Sequence, residues 1–544
     1  MTHTAPTPPP HRTILRGGTL LGGADSGGTA FDGGHSGPRV ADVVLVNGRI
    51  ESIGQAVQLP GDVVVECAGR LVLPGFVDAH SHADAVIFDP AVQLALLRQG
   101  ITTVIGGQDG VSFAPGDGRY ASSYFAAING THPSFSGGGV AELLACYERA
   151  TPLNFAYLIP AGTVRWEVMG RSTAAPTAEQ LDQMCQLVEQ GLAEGAVGLS
   201  SGLDYVPGMF ADAAEISQLC VLVAKAGAIY VTHMRGGYEA NSSVGVEEIL
   251  AISVASGVKA HISHFHATAP IISAMLGELA GKGVDATFDS YPYTRGCSLL
   301  SMPMLPPELS VKPVEEIMAA LSSPEQRAAI IADWFPAVSR NASLGSEWPT
   351  MMTLGHIAAP EFQWAHGLTL AGAAENAGQG VADFTLDVLL HSRLEVNVIM
   401  AVRYQRDMAE LGTIMSSPLH LGGSDGIFIG AHPHPRAAGS FTKYLRTLVR
   451  ELQIWTWDQA VQHLSTGACE RFGLGQRGRI APGWVADVIL VDPEKVCDTA
   501  NYQNPAQLAV GIDDVFVSGV HVLTNGTLTG ALPGKAVQRS AAVQ

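Results

Sequence analysis

The sequence predicts an α/β protein: a (β/α)8 TIM-like barrel, a small β-sandwich domain built from both chain termini, and an inserted lid segment. Three observations predict it. Short apolar runs alternate with amphipathic segments from Gly75 to about Phe472, the rhythm of parallel strands joined by crossover helices. Runs of β-branched residues bounded by glycine turns lie near both ends of the chain. The stretch from about Pro303 to Asp407 breaks the rhythm with helix-like segments and a Trp364-Ala365-His366-Gly367 turn, which suits a lid. At 544 residues, 47% hydrophobic and 15% charged, the chain can bury one large core with smaller satellites, and it is neither disordered nor fibrous.

Taken in order, residues 1–12 are Pro/Thr-rich, lack the apolar core of a signal peptide, and are expected to be disordered. Residues 13–72 supply the first part of the sandwich. Thr13 to Leu20 and Ala41 to Ile53 read as strands, the second turning at Asn47-Gly48 as a tight hairpin does, with a Gly/Ser/Asp-rich loop between them. Val63 to Glu66 continues the run. Residues 73–472 form the barrel, with strands expected at Thr102–Ile105, Asn154–Leu158, Ala196–Ser200, Ile229–His233, Lys259–His264, Asp285–Ser290 and His420–Ser424, and the lid at about 303–407. Residues 473–535 supply the second part of the sandwich, and 536–544 a tail. Gly473-x-Gly475-x-x-Gly478 matches a dinucleotide-binding pattern by letter. It follows a helical stretch and precedes a strand, the reverse of a phosphate-cradling turn, so it reads as turn chemistry.

A net charge of -19 without an acidic tail disfavours nucleic acid and anionic membranes as partners, and no segment reaches the roughly 20 apolar residues of a membrane span. The seven cysteines are odd in number and include no Cys-x-x-Cys, which argues for reduced thiols and a cytoplasmic location. The expected partner is a small molecule, with homo-oligomer formation left open.

The chemistry is concentrated around His80-Ser81-His82. The apolar run from Leu71 turns at Pro74-Gly75 and reads as a buried strand that delivers two imidazoles to one face, a metal-site spacing. Tyr230–Arg235 and His261–His264 each place a histidine, His233 and His264, at the end of a β-branched strand. Leu421–Gly426 ends the last barrel-like strand with Asp425, which can touch a metal, take a proton from the attacking water and return it to the leaving nitrogen. Singly, each of these would pass as an ordinary core residue. Together, at the ends of successive strands, they form a metal-site pattern.

With its Pro-Gly-Phe-Val-Asp context, the His-x-His strand resembles the first barrel strand of the amidohydrolase superfamily. Gly198–Tyr205, Thr232–Arg235, Ser263-His264, Asp289–Thr294 and His432–Arg436, in that order, resemble the N-acyl-D-amino-acid deacylases, or D-aminoacylases, over nearly the whole chain. The resemblance implies metal-dependent hydrolysis of N-acyl-D-amino acids to a carboxylate and a free D-amino acid, with one or two zinc ions. It implies a tight metal position held by His233, His264 and a loop thiolate, and a weaker one held by His80, His82 and Asp425. Here the loop reads Gly106-Gly107-Gln108-Asp109-Gly110, so Asp109 stands where the thiolate would be. A carboxylate is a harder ligand and opens the site to manganese or cobalt.

For substrate, Arg436 is expected to pair bidentately with the α-carboxylate, and Tyr293 or Tyr291 to add a hydroxyl. His266 stands where the family carries a lysine, and Ser263, Arg235 and Tyr205 are weaker candidates. His432 and His434 read equally well as packing residues. Two other readings stay open. One is a dipeptidase for peptides with a C-terminal D-residue, for which Asp204 or Glu239 would receive the free amine. The other is a catalytically inactive barrel kept as a scaffold, which predicts lost ligands.

Overall fold

The computed structural model describes residues 12–21, 38–236, 238–341, 343–403 and 406–540. Most of the expected disordered start, most of the Gly/Ser/Asp-rich loop and the last four residues of the expected tail lie outside the described residues.

The chain opens with strands β1 (Arg12–Leu20), β2 (Arg39–Val46), β3 (Arg49–Gly54), β4 (Val63–Glu66) and β5 (Leu71–Pro74). β2 and β3 turn at Asn47 (φ 50°) and Gly48 (φ 80°), the left-handed pair that a two-residue hairpin needs. The barrel follows: β6 (Phe76–Asp78), β7 (Ile101–Gly106), β8 (Asn154–Pro160), β9 (Gly198–Gly202), β10 (Ile229–His233), β11 (Lys259–Ile262) and β12 (Ala286–Ser290). After the insertion strands β13 (Gly296–Leu299), β14 (Met352–Ile357) and β15 (Val396–Met400), the eighth barrel strand is β16 (His420–Gly422). The chain ends with β17 (Val488–Val491), β18 (Ile512–Val517), β19 (Val520–Thr524) and β20 (Thr527–Leu528).

The eight barrel strands pair in parallel in the order β16-β12-β11-β10-β9-β8-β7-β6. Beyond the strand ends, Ala79 N donates to Gly422 O (3.1 Å), Asp425 N to His80 O (2.8 Å) and His82 N to Gly426 O (3.1 Å), which closes the sheet on itself. β7 and β8 are buried along their whole length, as parallel strands covered on both faces must be. Helices cover the outside. Helix Ala178–Ala193 starts at Thr177, whose hydroxyl accepts from Gln180 N while the Gln180 side chain accepts from Thr177 N, and it buries Met184 and Val188.

β17 to β20 join β1 to β5 in one nine-stranded sheet, with β17 seated antiparallel on β5. Leu15, Val43, Leu45, Val72, Val488, Leu490 and Phe516 from both ends of the chain pack together inside it. The expected single strand from Leu71 to His82 is therefore two: β5 belongs to the terminal sheet and β6 to the barrel. The chain crosses between them at Gly75, where any Cβ would lie 2.2 Å from Thr102 Oγ1. Gly473, Gly475 and Gly478 all have left-handed backbone (φ 67°, 74° and 82°), the turn geometry expected of them. Val537 N donates to Phe155 O (2.7 Å) and Ser540 N to Gly473 O (2.9 Å), so the chain up to Ser540 lies against the barrel.

The insertion holds more strand than its sequence rhythm suggests. β14 and β15 pair antiparallel with each other, and β15 pairs with β13, around a separate apolar core that includes Leu354, Val398, Trp348 and Phe384. β14 and β15 are six and five residues long, mostly buried, and partnered across a long sequence separation, so no alternation marks them locally.

Candidate active site

Six side chains converge where the barrel strands end. His233 closes β10, His80 and His264 lie two residues past β6 and β11, and Asp109 and Asp425 lie three past β7 and β16. With His82, all six are buried. His82 Nε2 lies 3.4 Å from Asp425 Oδ1 and 3.6 Å from Asp109 Oδ2. Asp109 Oδ1 lies 3.6 Å from both His80 Nε2 and His264 Nε2, and His233 Nδ1 lies 3.1 Å from His264 Nε2. His80, His82 and Asp425 form one group of three ligand atoms mutually within 4.8 Å, and His80, Asp109 and His264 form a second.

Backbone strain accompanies this convergence. Asp109 (φ 55°), His264 (φ 34°) and Asp425 (φ 48°) all sit in the left-handed region, where a side chain costs about 1–3 kcal/mol. Hydrogen bonds hold two of them there. His264 N donates to Asp289 Oδ1 (2.8 Å), Asp425 N to His80 O (2.8 Å), and Ser424 N to Asp78 Oδ1 (2.8 Å).

The outer nitrogens of the histidines decide what the inner ones offer. His80 Nδ1 donates to Asp289 Oδ2 (3.3 Å). His82 Nδ1 donates to Asn129 Oδ1 (2.9 Å), an amide whose orientation is set by its donation to Val111 O. His233 Nε2 donates to Asp204 Oδ2 (3.4 Å). In each case the opposite nitrogen faces the cluster, the arrangement of metal-ligating histidines. His80 Nε2 and Asp109 Oδ1 are buried with no hydrogen-bond partner of their own.

Electrostatics give the same answer. Burial works against charge on His80, but Asp289 and Asp109 outweigh it and raise its pKa to about 9. His82 rises to about 10, as Asp109 and Asp425 overcome burial. Burial would raise Asp109, yet the histidines around it, His264 and His80 foremost, hold its carboxyl well below the usual carboxylate range. The carboxylates therefore demand positive charge at this point. The donor set and its charge fit a divalent metal ion, whose binding would displace the protons that His80 and His82 hold without it.

The cluster lines a cavity of about 420 Å³ whose walls include Tyr205, Tyr238, His266, Tyr291 and Cys297, with Ser343, Met400 and Arg406 coming from the insertion. Of the residues expected to meet substrate, Tyr291 and His266 line it; Arg436, Tyr293 and Ser263 do not. Arg436 is fully buried behind Asp425, 2.8 Å from its Oδ2, and lies over the Tyr291 ring. Its guanidinium lies behind that carboxylate and outside the cavity lining. Burial alone would raise Asp425; Arg436 and His82 reverse it, so the net shift is downward.

Tyr293 sits under Lys443 with its hydroxyl toward Pro435 O (3.4 Å), and the Ser263 hydroxyl is buried. Arg235 pairs with Glu248 (3.0 Å), and the Tyr205 ring packs against His233. His432 and His434 bond to Tyr502 O and Arg295 O, as packing residues do.

Sequence reasoning missed Asp289 and Arg406. Asp289 lies next to last in β12 and holds three groups at once, including His261 Nε2 (3.0 Å). Its place near a strand end, like those of His80 and His264, was the signal that could have found it. Arg406 carried none.

Among known proteins, the amidohydrolase family profile matches residues 63–522. The N-acyl-D-glutamate deacylase of Alcaligenes xylosoxydans xylosoxydans is 30% identical over 526 residues, covering 95% of this chain and 96% of that protein. The N-acyl-D-aspartate deacylase of the same organism is also 30% identical, covering 93% of this chain and 92% of that protein. The crystal structure of N-acyl-D-glutamate deacylase from Bordetella bronchiseptica, complexed with zinc and a phosphonate mimic of the tetrahedral intermediate, superposes with a TM-score of 0.77. It is 28% identical and covers 97% of this chain and 99% of that one. The chain belongs to the amidohydrolase family.

Proposed function

We propose that this cavity hydrolyses the amide bond of N-acyl-D-amino acids, releasing a carboxylate and a free D-amino acid. The observation that carries the reading is the convergence of His80, His82, Asp109, His233, His264 and Asp425 in one buried cluster at the cavity wall. These six would hold one or two zinc ions, with manganese or cobalt also suited to a set containing two carboxylates. A bound ion supplies Lewis-acid polarisation of the amide carbonyl and makes water more acidic.

The chain supplies the rest. Asp425 lines the cavity and is kept ionised by Arg436 and the histidines, so it can take a proton from the attacking water and deliver it to the leaving nitrogen. The Arg436 contact fixes which Asp425 oxygen faces the cluster: Oδ2 is held by the guanidinium, and Oδ1 faces His82. Tyr205, Tyr238 and Tyr291 wall the cavity and limit water around the reacting amide. The D-configuration is supported by the deacylases that this chain resembles. All seven cysteines are unpaired, which suits a reducing cytoplasm. Among the described residues no helix is long and apolar enough to cross a membrane.

A second reading has an observation of its own. Glu239 lines the cavity with Oε1 buried and unpartnered, as a receiver for the free amine of a dipeptide would be. The test is hydrolysis of paired D- and L-forms of N-acetyl-leucine, -phenylalanine, -aspartate and -glutamate, with Leu-D-Leu-type dipeptides, by the zinc-loaded protein. Turnover of D-acetyl substrates alone is the expected result. Dipeptide turnover far above acetyl turnover moves the protein to the second reading, and silence on the whole panel with metal bound refutes both.

A further inference from the structure

Arg406 is the only lysine or arginine among the described residues lining the cavity. It precedes helix Met408–Met415, is 6% exposed, and keeps Nε and Nη1 buried without a hydrogen-bond partner. Its charge reaches His266, Glu239 and Tyr291. None of them neutralises it. The His266 ring is occupied: Nδ1 donates to His264 O (2.8 Å) and its face stacks on Tyr238. Burial raises the Glu239 carboxyl, whose Oε2 accepts from Ser343 Oγ (3.2 Å) instead. The other nearby cation, Arg436, faces Asp425 from behind and does not line the cavity.

An unpaired buried guanidinium is costly, and its five donors in a fixed fork match a carboxylate. Among the described residues no carboxylate is paired with Arg406, which leaves it open to an anion that enters the cavity. We propose that Arg406 is the carboxylate-binding residue of this cavity and sets its preference for anionic substrates. The inference rests on the hydrolytic reading above. It assigns to a residue of the insertion the part expected of Arg436. The carboxylate can be the α-carboxylate common to all N-acyl amino acids or the side-chain carboxylate of an acidic one.

The experiment compares the zinc-loaded wild type with Arg406→Met and Arg406→Lys on N-acetyl-D-leucine, N-acetyl-D-glutamate and their carboxamides. It measures both turnover and equilibrium binding by calorimetry. Arg406→Met is expected to raise KM and Kd for the free acids about 10- to 100-fold, the scale of a charge-assisted hydrogen-bond pair, and to leave the carboxamides unchanged. Arg406→Lys recovers part of the loss. An equal loss on both acids identifies the α-carboxylate, and a loss confined to N-acetyl-D-glutamate identifies the side chain.

Equal effects on acids and carboxamides, or no effect, overturn the proposal. Melting separates a structural role: without ligand, Arg406→Met should melt no lower than wild type, because it removes an unpaired charge, and a lower melting temperature counts against the assignment. If the wild type hydrolyses nothing, the hydrolytic reading fails while calorimetry still decides the anchor. A wild type that binds none of these acids overturns it.

Discussion

Asp289→Asn tests whether the histidines are oriented from beneath. The carboxylate accepts three N–H groups: His80 Nδ1 (3.3 Å) and His261 Nε2 (3.0 Å) on Oδ2, and His264 N (2.8 Å) on Oδ1. Asparagine has one acceptor oxygen and one NH2, so at least one donor must face another donor, whichever way the amide turns. If its oxygen serves the His264 amide, both imidazoles lose their acceptor, His80 is no longer held with Nε2 toward the cluster, and two bonds to a charged group disappear. At about 1.5–3 kcal/mol for such a bond, ligand-free stability should fall by about 2–4 kcal/mol after partial relaxation. Loss of a partner of this kind costs about 10- to 100-fold in metal affinity, or about 1.4–2.7 kcal/mol. The assay is competition for zinc against a chromophoric chelator at fixed pH, with guanidinium unfolding of the metal-free protein. A zinc Kd within about 2-fold of wild type would refute the reasoning.

Two further outcomes are expected. Asp425→Asn should lower kcat about 10²- to 10⁴-fold while the bound metal content stays close to wild type, because five of the six candidate ligands remain; metal analysis beside kinetics checks both, and near-normal kcat would remove Asp425 from proton transfer. Asp514 in β18 pairs with Arg70 (2.5 Å) and His521 (2.9 Å), which outweigh burial and lower its pKa from 3.8 to about 2. The unfolded chain therefore binds more protons, and the stabilisation, complete above pH 3.8, is lost as pH falls toward about 2. Thermal melts across that window should be steeper for wild type than for Asp514→Asn, and parallel curves would contradict the linkage.

By itself the sequence determined the barrel and named the candidate metal-site residues that the structure brings together. Parallel strands buried on both faces leave short apolar runs, and the residues that end them are readable as a list, from His80-Ser81-His82 to Asp425. That β1 to β5 and β17 to β20 belong together was legible in outline, because β-branched runs with glycine turns stand out at both ends. Tertiary structure alone decided what surrounds the site. Asp289 meets His80 across 209 residues of sequence, and β14 and β15 pair without a local alternation. The two arginines show the reason most directly. Arg436 sits in a recognisable motif yet turns back onto Asp425, while Arg406 sits in none and reaches the cavity. Where a long side chain ends is set by the packing around it, and that depends on neighbours far away in sequence.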